Sequence, residues 1–216
     1  LNGRPNEIAQ SGVEFIGDGS MEADIEVISM AVESLKRCDF NSFKIEIGNA
    51  AFFNCILDRM DISDTQRADI YNYIEGKNYA ALGDLLDLIG TTPETKILKR
   101  LPRLFGDESV IDEAKSLYDY KEAVEALDYL KSVYRALCDA GLKEHIMLDL
   151  GLVNRSNYYT GVIFHGYAEG SGLTVLAGGR YDKLLGEFGM PNPAIGFAVE
   201  VTALCEAMRE TINVER

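Results

Sequence analysis

Asn157-Tyr158-Tyr159-Thr160-Gly161-Val162-Ile163-Phe164 places two tyrosines and a glycine ahead of an apolar, β-branched run, the composition of a strand leaving a polar loop. Downstream stand Gly178-Gly179-Arg180-Tyr181-Asp182, whose paired glycines permit close backbone approach, and Pro193-Ala194-Ile195-Gly196-Phe197-Ala198. A strand over 158–167 sends Tyr158 and Tyr159 to opposite faces, so that one lines a site while the other packs or meets solvent. Further strand patterns lie at 146–150, 172–177 and 194–199, before a helix over about 202–211.

Towards the N-terminus, residues 7–17 alternate as a strand with Gln10, Gly12 and Glu14 on one polar face. Asp18-Gly19-Ser20 supplies a helix N-cap, after which Ile25, Ile28, Val32 and Leu35 recur at helical spacing as far as Cys38. A second strand follows at 43–48, and Asn49 caps a short helix ending near Leu57. Residues 61–140 read as helix only, with pieces at 67–75, 79–89 and 121–140 broken at Gly90, Pro93, Pro102 and Gly106. In the last piece Val124, Leu127, Leu130, Tyr134 and Leu137 form a stripe suited to core packing. The predicted class is α+β: an antiparallel sheet with flanking helices, its two parts (1–60 and 141–216) separated by a helical insertion over 61–140.

The chain has 216 residues and a formal charge of −14, which opposes binding to a polyanion such as tRNA. Cys38, Cys55, Cys138 and Cys205 are scattered, without a C-x-x-C pair, as in reduced cytoplasmic proteins. His145 and His165 are too few for a histidine-based metal site, and no apolar run reaches membrane-spanning length. No phosphate-binding glycine loop and no local Ser-His-Asp or Cys-His arrangement is present, so a cofactor is not expected. The opening Leu1-Asn2-Gly3-Arg4 lacks methionine and runs into strand, which predicts that residues have been removed ahead of it. Gln10 and Glu14, four apart with Gly12 between them, offer a seat for an ammonium group; an ordinary solvent-facing strand with a glycine bulge fits the same residues. Arg180 and Asp182 read as a solvated pair of little energetic weight.

These blocks together resemble histidyl-tRNA synthetases. Gln10-Ser11-Gly12-Val13-Glu14 with Ile16-Gly17 is similar to the end of motif 2, the tyrosine block to R-G-L-D-Y-Y-T-G-T-V-F, and Gly178 to Asp182 to G-G-R-Y-D. The resemblance implies a class II synthetase fold with histidine held by Gln10, Glu14 and Tyr159 and its imidazole near Tyr181; Tyr158 is assigned to packing. It fails at two places. Asn154 falls where the catalytic arginine belongs, with Arg155 one position off and Asn157 in place of aspartate. Ala203 replaces the ATP-gripping arginine of motif 3, and Glu200 a glycine. Loss of each guanidinium costs roughly 2–5 kcal/mol in a dry site, so adenylation is not expected. The chain also stops soon after motif 3, without an anticodon-binding domain. Such omissions resemble the regulatory subunits of ATP phosphoribosyltransferase. That resemblance implies a non-catalytic protein which associates with itself and with the short-form catalytic subunit in the first step of histidine biosynthesis, with L-histidine as effector. A divergent synthetase fragment is the alternative.

Overall fold

The structure, a computed structural model, describes residues 8–154, 158–169 and 172–214. The first strand, β1 (Gln10–Ile16), leads through Asp18 and Ser20 into α1 (Met21–Arg37). Asp18 accepts from the Ser20 amide at 2.8 Å, and the Ser20 hydroxyl accepts from the Ala23 amide at 3.3 Å, satisfying an otherwise orphaned donor of the first turn. Then come β2 (Phe43–Asn49) and α2 (Ala50–Asp58), whose cap is Asn49: its side chain accepts from Ala51 at 2.9 Å and Phe52 at 3.4 Å.

The helical stretch comprises α3 (Asp64–Glu75), α4 (Tyr79–Ile89), α5 (Pro93–Arg100), α6 (Ser109–Leu117) and α7 (Lys121–Asp139). Two of these, α5 and α6, were not separated by periodicity. Pro93 starts a helix where a break was expected, because its missing N–H falls at the first helical position, behind a capping box between Thr92 and Thr95. A two-residue strand, β3 (Phe105–Gly106), also lies within this stretch. The chain returns through β4 (Ile146–Asp149), β5 (Val162–Ala168), β6 (Thr174–Arg180) and β7 (Ala194–Glu200) to α8 (Val201–Val214).

Among the described residues the strands form one seven-stranded sheet in the order β1-β7-β6-β5-β2-β4-β3. Every pair is antiparallel except β2 with β4, which the helical stretch connects. One sheet face carries Val13, Ile195, Phe197, Leu176, Phe164, Ile45 and Ile47 into a core shared with α1, α2 and α7. The predicted α7 stripe is central to it: Leu127, Leu130 and Leu137 are fully buried, each contributing about 1.5–3 kcal/mol by burial, with Tyr134 close behind. On α1 the buried face includes Val27, Ile28, Val32 and Leu35, and also Asp24 at 0% exposure.

β5 begins four residues later than the tyrosine block suggested, so Tyr158 and Tyr159 lie in loop and the alternation of faces does not apply to them. Arg155 and Asn157 lie outside the described residues.

Candidate functional site

The second face of the sheet is floored by small residues. Directly opposed residues on paired strands share a face, and the register runs Glu14–Gly196–Gly179–Ile163 across β1, β7, β6 and β5. The next row is Gly12–Ala198–Ala177–His165. A trough results, with a carboxylate at one end and a histidine at the other.

Two glycines are dictated by side chains that lie on them. A Cβ at Gly196 would overlap the Glu14 carboxylate, and one at Gly179 would sit 2.8 Å from the Tyr159 ring. Glycine at these positions therefore lets Glu14 and Tyr159 pack directly on the floor. Gly12 has a different cause: a Cβ there would strike the carbonyl oxygen of Phe197, so close packing of β1 on β7 requires it.

Tyr181 donates its hydroxyl to Glu14 Oε2. Tyr158 lies with its ring centroid 4.4 Å from that of Tyr159 and 5.9 Å from that of Tyr181, the second pair edge to face. The structure thus brings together Glu14, Tyr159 and Tyr181 of the expected site and adds Tyr158, which is 37% exposed at the mouth of the trough. Gln10, the fourth expected residue, shares the face but begins β1 opposite Glu200, about 13 Å along the strand from Glu14. Burial pushes the phenols of Tyr159 and Tyr181 up, and for Tyr181 the Glu14 hydrogen bond adds to it, so both remain protonated donors. A carboxylate ringed by neutral phenol faces is chemistry for a cation, through a charge-assisted hydrogen bond and contact with aromatic rings.

At the other end His165 Nδ1 lies 3.2 Å from the Tyr167 hydroxyl, and burial lowers the imidazole pKa to about 4. It is neutral at physiological pH. Tyr167 is pushed up to about 12 by burial and by Glu46. Beyond Tyr158, Tyr159 and Thr160 an open groove of about 1080 Å³ runs between α2 and the turn bearing Lys183. Asn154 shares a cavity of about 10 Å³ with Tyr159, Asn54 and Tyr71. Ala203, 8% exposed, packs into the core from α8. Among the described residues no three His, Cys, Asp or Glu side chains gather as a metal ion would need, and no helix is long and apolar enough to cross a membrane.

The expectation of a solvated Arg180–Asp182 pair is overturned. Arg180 is 5% exposed; its Nε and Nη2 reach Asp24 Oδ1 at 2.7 and 2.5 Å, and its Nη1 reaches Asp182 Oδ1 at 3.0 Å. The carbonyls of Asp18 and Ser20 take the remaining donors at 3.1 and 3.2 Å. A single sequence signal pointed this way: Asp24 occupies the apolar stripe of α1, and a buried carboxylate needs a partner. Nothing local to Arg180 identified that partner, 156 residues away.

A family model described as Histidyl-tRNA synthetase matches residues 2–204. The ATP phosphoribosyltransferase regulatory subunit of Clostridium novyi is 43% identical over 221 residues, covering 100% of this chain and 52% of that protein. That of Clostridium acetobutylicum is 43% identical over 217 residues, covering 99% and 53%. Among solved structures, one described as an ATP phosphoribosyltransferase regulatory subunit/histidyl-tRNA synthetase from Bacillus halodurans superposes with a TM-score of 0.87 at 34% identity, over 95% of this chain and 55% of that one. The chain thus spans about half the length of the curated relatives it matches. It belongs to the histidyl-tRNA synthetase family, and these relatives within that family carry the name ATP phosphoribosyltransferase regulatory subunit.

Proposed function

We propose that the protein to which this chain belongs is the non-catalytic regulatory subunit of ATP phosphoribosyltransferase, working with a short-form catalytic subunit in the cytoplasm, and that the trough holds L-histidine as feedback effector. The observation that carries the ligand is the Glu14 carboxylate lying over Gly196 against the Tyr181 hydroxyl, with the Tyr159 ring packed on Gly179. The α-ammonium of histidine fits the carboxylate, and the imidazole fits the tyrosine faces; Gln10 shares the face but, about 13 Å along the strand, stands apart from a histidine seated on Glu14. Two features support a site that binds without adenylating. Asn154, in the place of a catalytic arginine, brings no charge beside Tyr159, and Ala203, packed into the core, brings none from α8.

The trough then acts by differential affinity: histidine biases the regulator only to the extent that it binds the inhibited arrangement of the assembly better than the active one. Self-association of the regulator and its contact with the catalytic subunit belong to the same proposal. A synthetase reading is favoured by the description of the matching family model and by the double description of the Bacillus halodurans structure. One experiment separates the two: phosphoribosyl transfer by the short catalytic subunit, with and without the intact protein, repeated with histidine. Stimulation that histidine suppresses is the expected result. No stimulation, with histidine-dependent ATP–pyrophosphate exchange by the protein itself, would overturn the proposal in favour of a synthetase.

A further inference from the structure

A chain of hydrogen bonds runs from the helical stretch to the tyrosines of the trough. Tyr129, half-buried on α7, donates its hydroxyl to Asp24 Oδ2 at 2.6 Å. Asp24 holds Arg180 through its other oxygen at 2.7 Å, and Arg180 in turn holds Asp182 at 3.0 Å. The Asp182 amide donates to Thr160 Oγ1 at 3.0 Å, and the Thr160 amide returns to the Arg180 carbonyl at 2.7 Å. Thr160 is covalently next to Tyr159, and Arg180 and Asp182 flank Tyr181. The last bonds of the chain therefore fix the backbone from which both ligand-facing rings project.

The arrangement transmits a displacement because it has no slack. The guanidinium is a planar fork, bound to Asp24 on one edge and to Asp182 and the Asp18 carbonyl on the other, so it cannot follow one partner without leaving another. Its stem passes the Cα of Gly161, where a Cβ would meet Arg180 Cδ at 3.2 Å, so movement of the arginine is felt in the loop that carries Tyr159. Asp24 is fully buried, and Tyr129 supplies a donor to its second oxygen. Burial pushes the Tyr129 phenol well up, and the Asp24 hydrogen bond adds to this, so the donor persists at every physiological pH.

We infer that Tyr129 is a positioning residue for the trough, acting through Asp24 and Arg180, and that the helical stretch is in this way part of the ligand site. The inference rests on the reading of the trough as a histidine site. By reciprocity, whatever breaks the Tyr129–Asp24 bond alters histidine affinity, and histidine alters the equilibrium of that bond by the same factor.

The test compares Tyr129→Phe with Leu130→Ala in the intact protein. The first removes one hydroxyl; the second opens a cavity at a fully buried position of the same helix and leaves the hydrogen bonds in place. Histidine affinity is read by calorimetry and amide hydrogen exchange at Thr160 and Asp182 by mass spectrometry, with thermal unfolding to compare overall stability. Tyr129→Phe is expected to weaken histidine binding about tenfold and to speed exchange at both amides, as loss of a hydrogen bond to a charged group would. Leu130→Ala is expected to lower the unfolding temperature at least as far with neither effect. Unchanged affinity and exchange in Tyr129→Phe would overturn the inference, as would equal effects from Leu130→Ala. If the wild-type protein itself fails to bind histidine, the ligand assignment falls, and exchange at Thr160 and Asp182 alone decides the positioning role: selective acceleration in Tyr129→Phe supports it, and its absence overturns it.

Discussion

Replacing Arg180 with methionine tests whether the buried pair organises the sheet end that bears the site. Methionine keeps an apolar stem beside Gly161 and deletes the guanidinium. Lost with it are the contacts to Asp24 at 2.7 and 2.5 Å, to Asp182 at 3.0 Å, and to the Asp18 and Ser20 carbonyls at 3.1 and 3.2 Å. Asp24, with no exposure to solvent, is left with the Tyr129 hydroxyl alone among these partners. Breaking a buried ion pair from one side costs about 3–5 kcal/mol, because the remaining charge is uncompensated. In a chain of this length that corresponds to a fall in unfolding temperature of roughly 6–20 °C. Calorimetric and urea unfolding measure it, and adding Asp24→Asn to Arg180→Met should recover part of the loss. The pH dependence has a definite sign. Burial raises the Asp24 pKa above 3.8, a rise that the Arg180 and Tyr129 hydrogen bonds only partly offset. A raised carboxyl contributes most to stability below its unfolded value, and the contribution is lost as pH rises through the folded one. Without Arg180 the rise grows, so the deficit of the variant is widest near neutrality and narrows in acid. A deficit below about 1 kcal/mol, or one independent of pH, would mean that the pair is solvated and the reasoning wrong.

Other substitutions probe the trough and its far end. Glu14→Gln keeps the shape and removes the charge, and it is expected to weaken histidine binding about tenfold or more; equal calorimetric affinities would place the effector elsewhere. Gly196→Ala puts a methyl group into the space of the Glu14 carboxylate, so binding should fall while urea unfolding records an overpacking cost of about 1–3 kcal/mol; retained binding would show that Glu14 does not need its seat. His165, held neutral by burial with a pKa of about 4, takes up its proton later than the unfolded chain does, so its contribution to stability is lost as pH falls from 6.5 through that value. Urea unfolding at pH 7 and pH 4.5 should show this acid-sensitive component in the wild type and not in His165→Gln.

Legibility in the sequence followed the range of the interaction. The α7 stripe, the caps at Ser20 and Asn49 and the alternation around Glu14 involve neighbours within about one helical turn or one strand, and the structure bears them out. Pro93 misled as a helix break because the same residue serves at the first helical position, and the Thr92–Thr95 box decides between the two uses. The tyrosine block reads as strand four residues ahead of β5, since tyrosine favours strands in general and only the pairing with β2 and β6 marks where β5 begins. With Tyr158 and Tyr159 in loop, their rings lie together at the site, which opposite faces of a strand would prevent.

By itself the sequence determined the fold class, the family and three of the residues that meet at the trough, because hydrophobic period, caps and motif spacing are local and survive without a partner. Tertiary structure alone decided that Arg180 is buried against Asp24, that Gly196 and Gly179 are seats for Glu14 and Tyr159, and that Tyr129 reaches the site from the helical stretch. Each of these joins strands or helices distant in the chain, and the cost of burying a charge or adding a methyl group depends on what the fold brings alongside it.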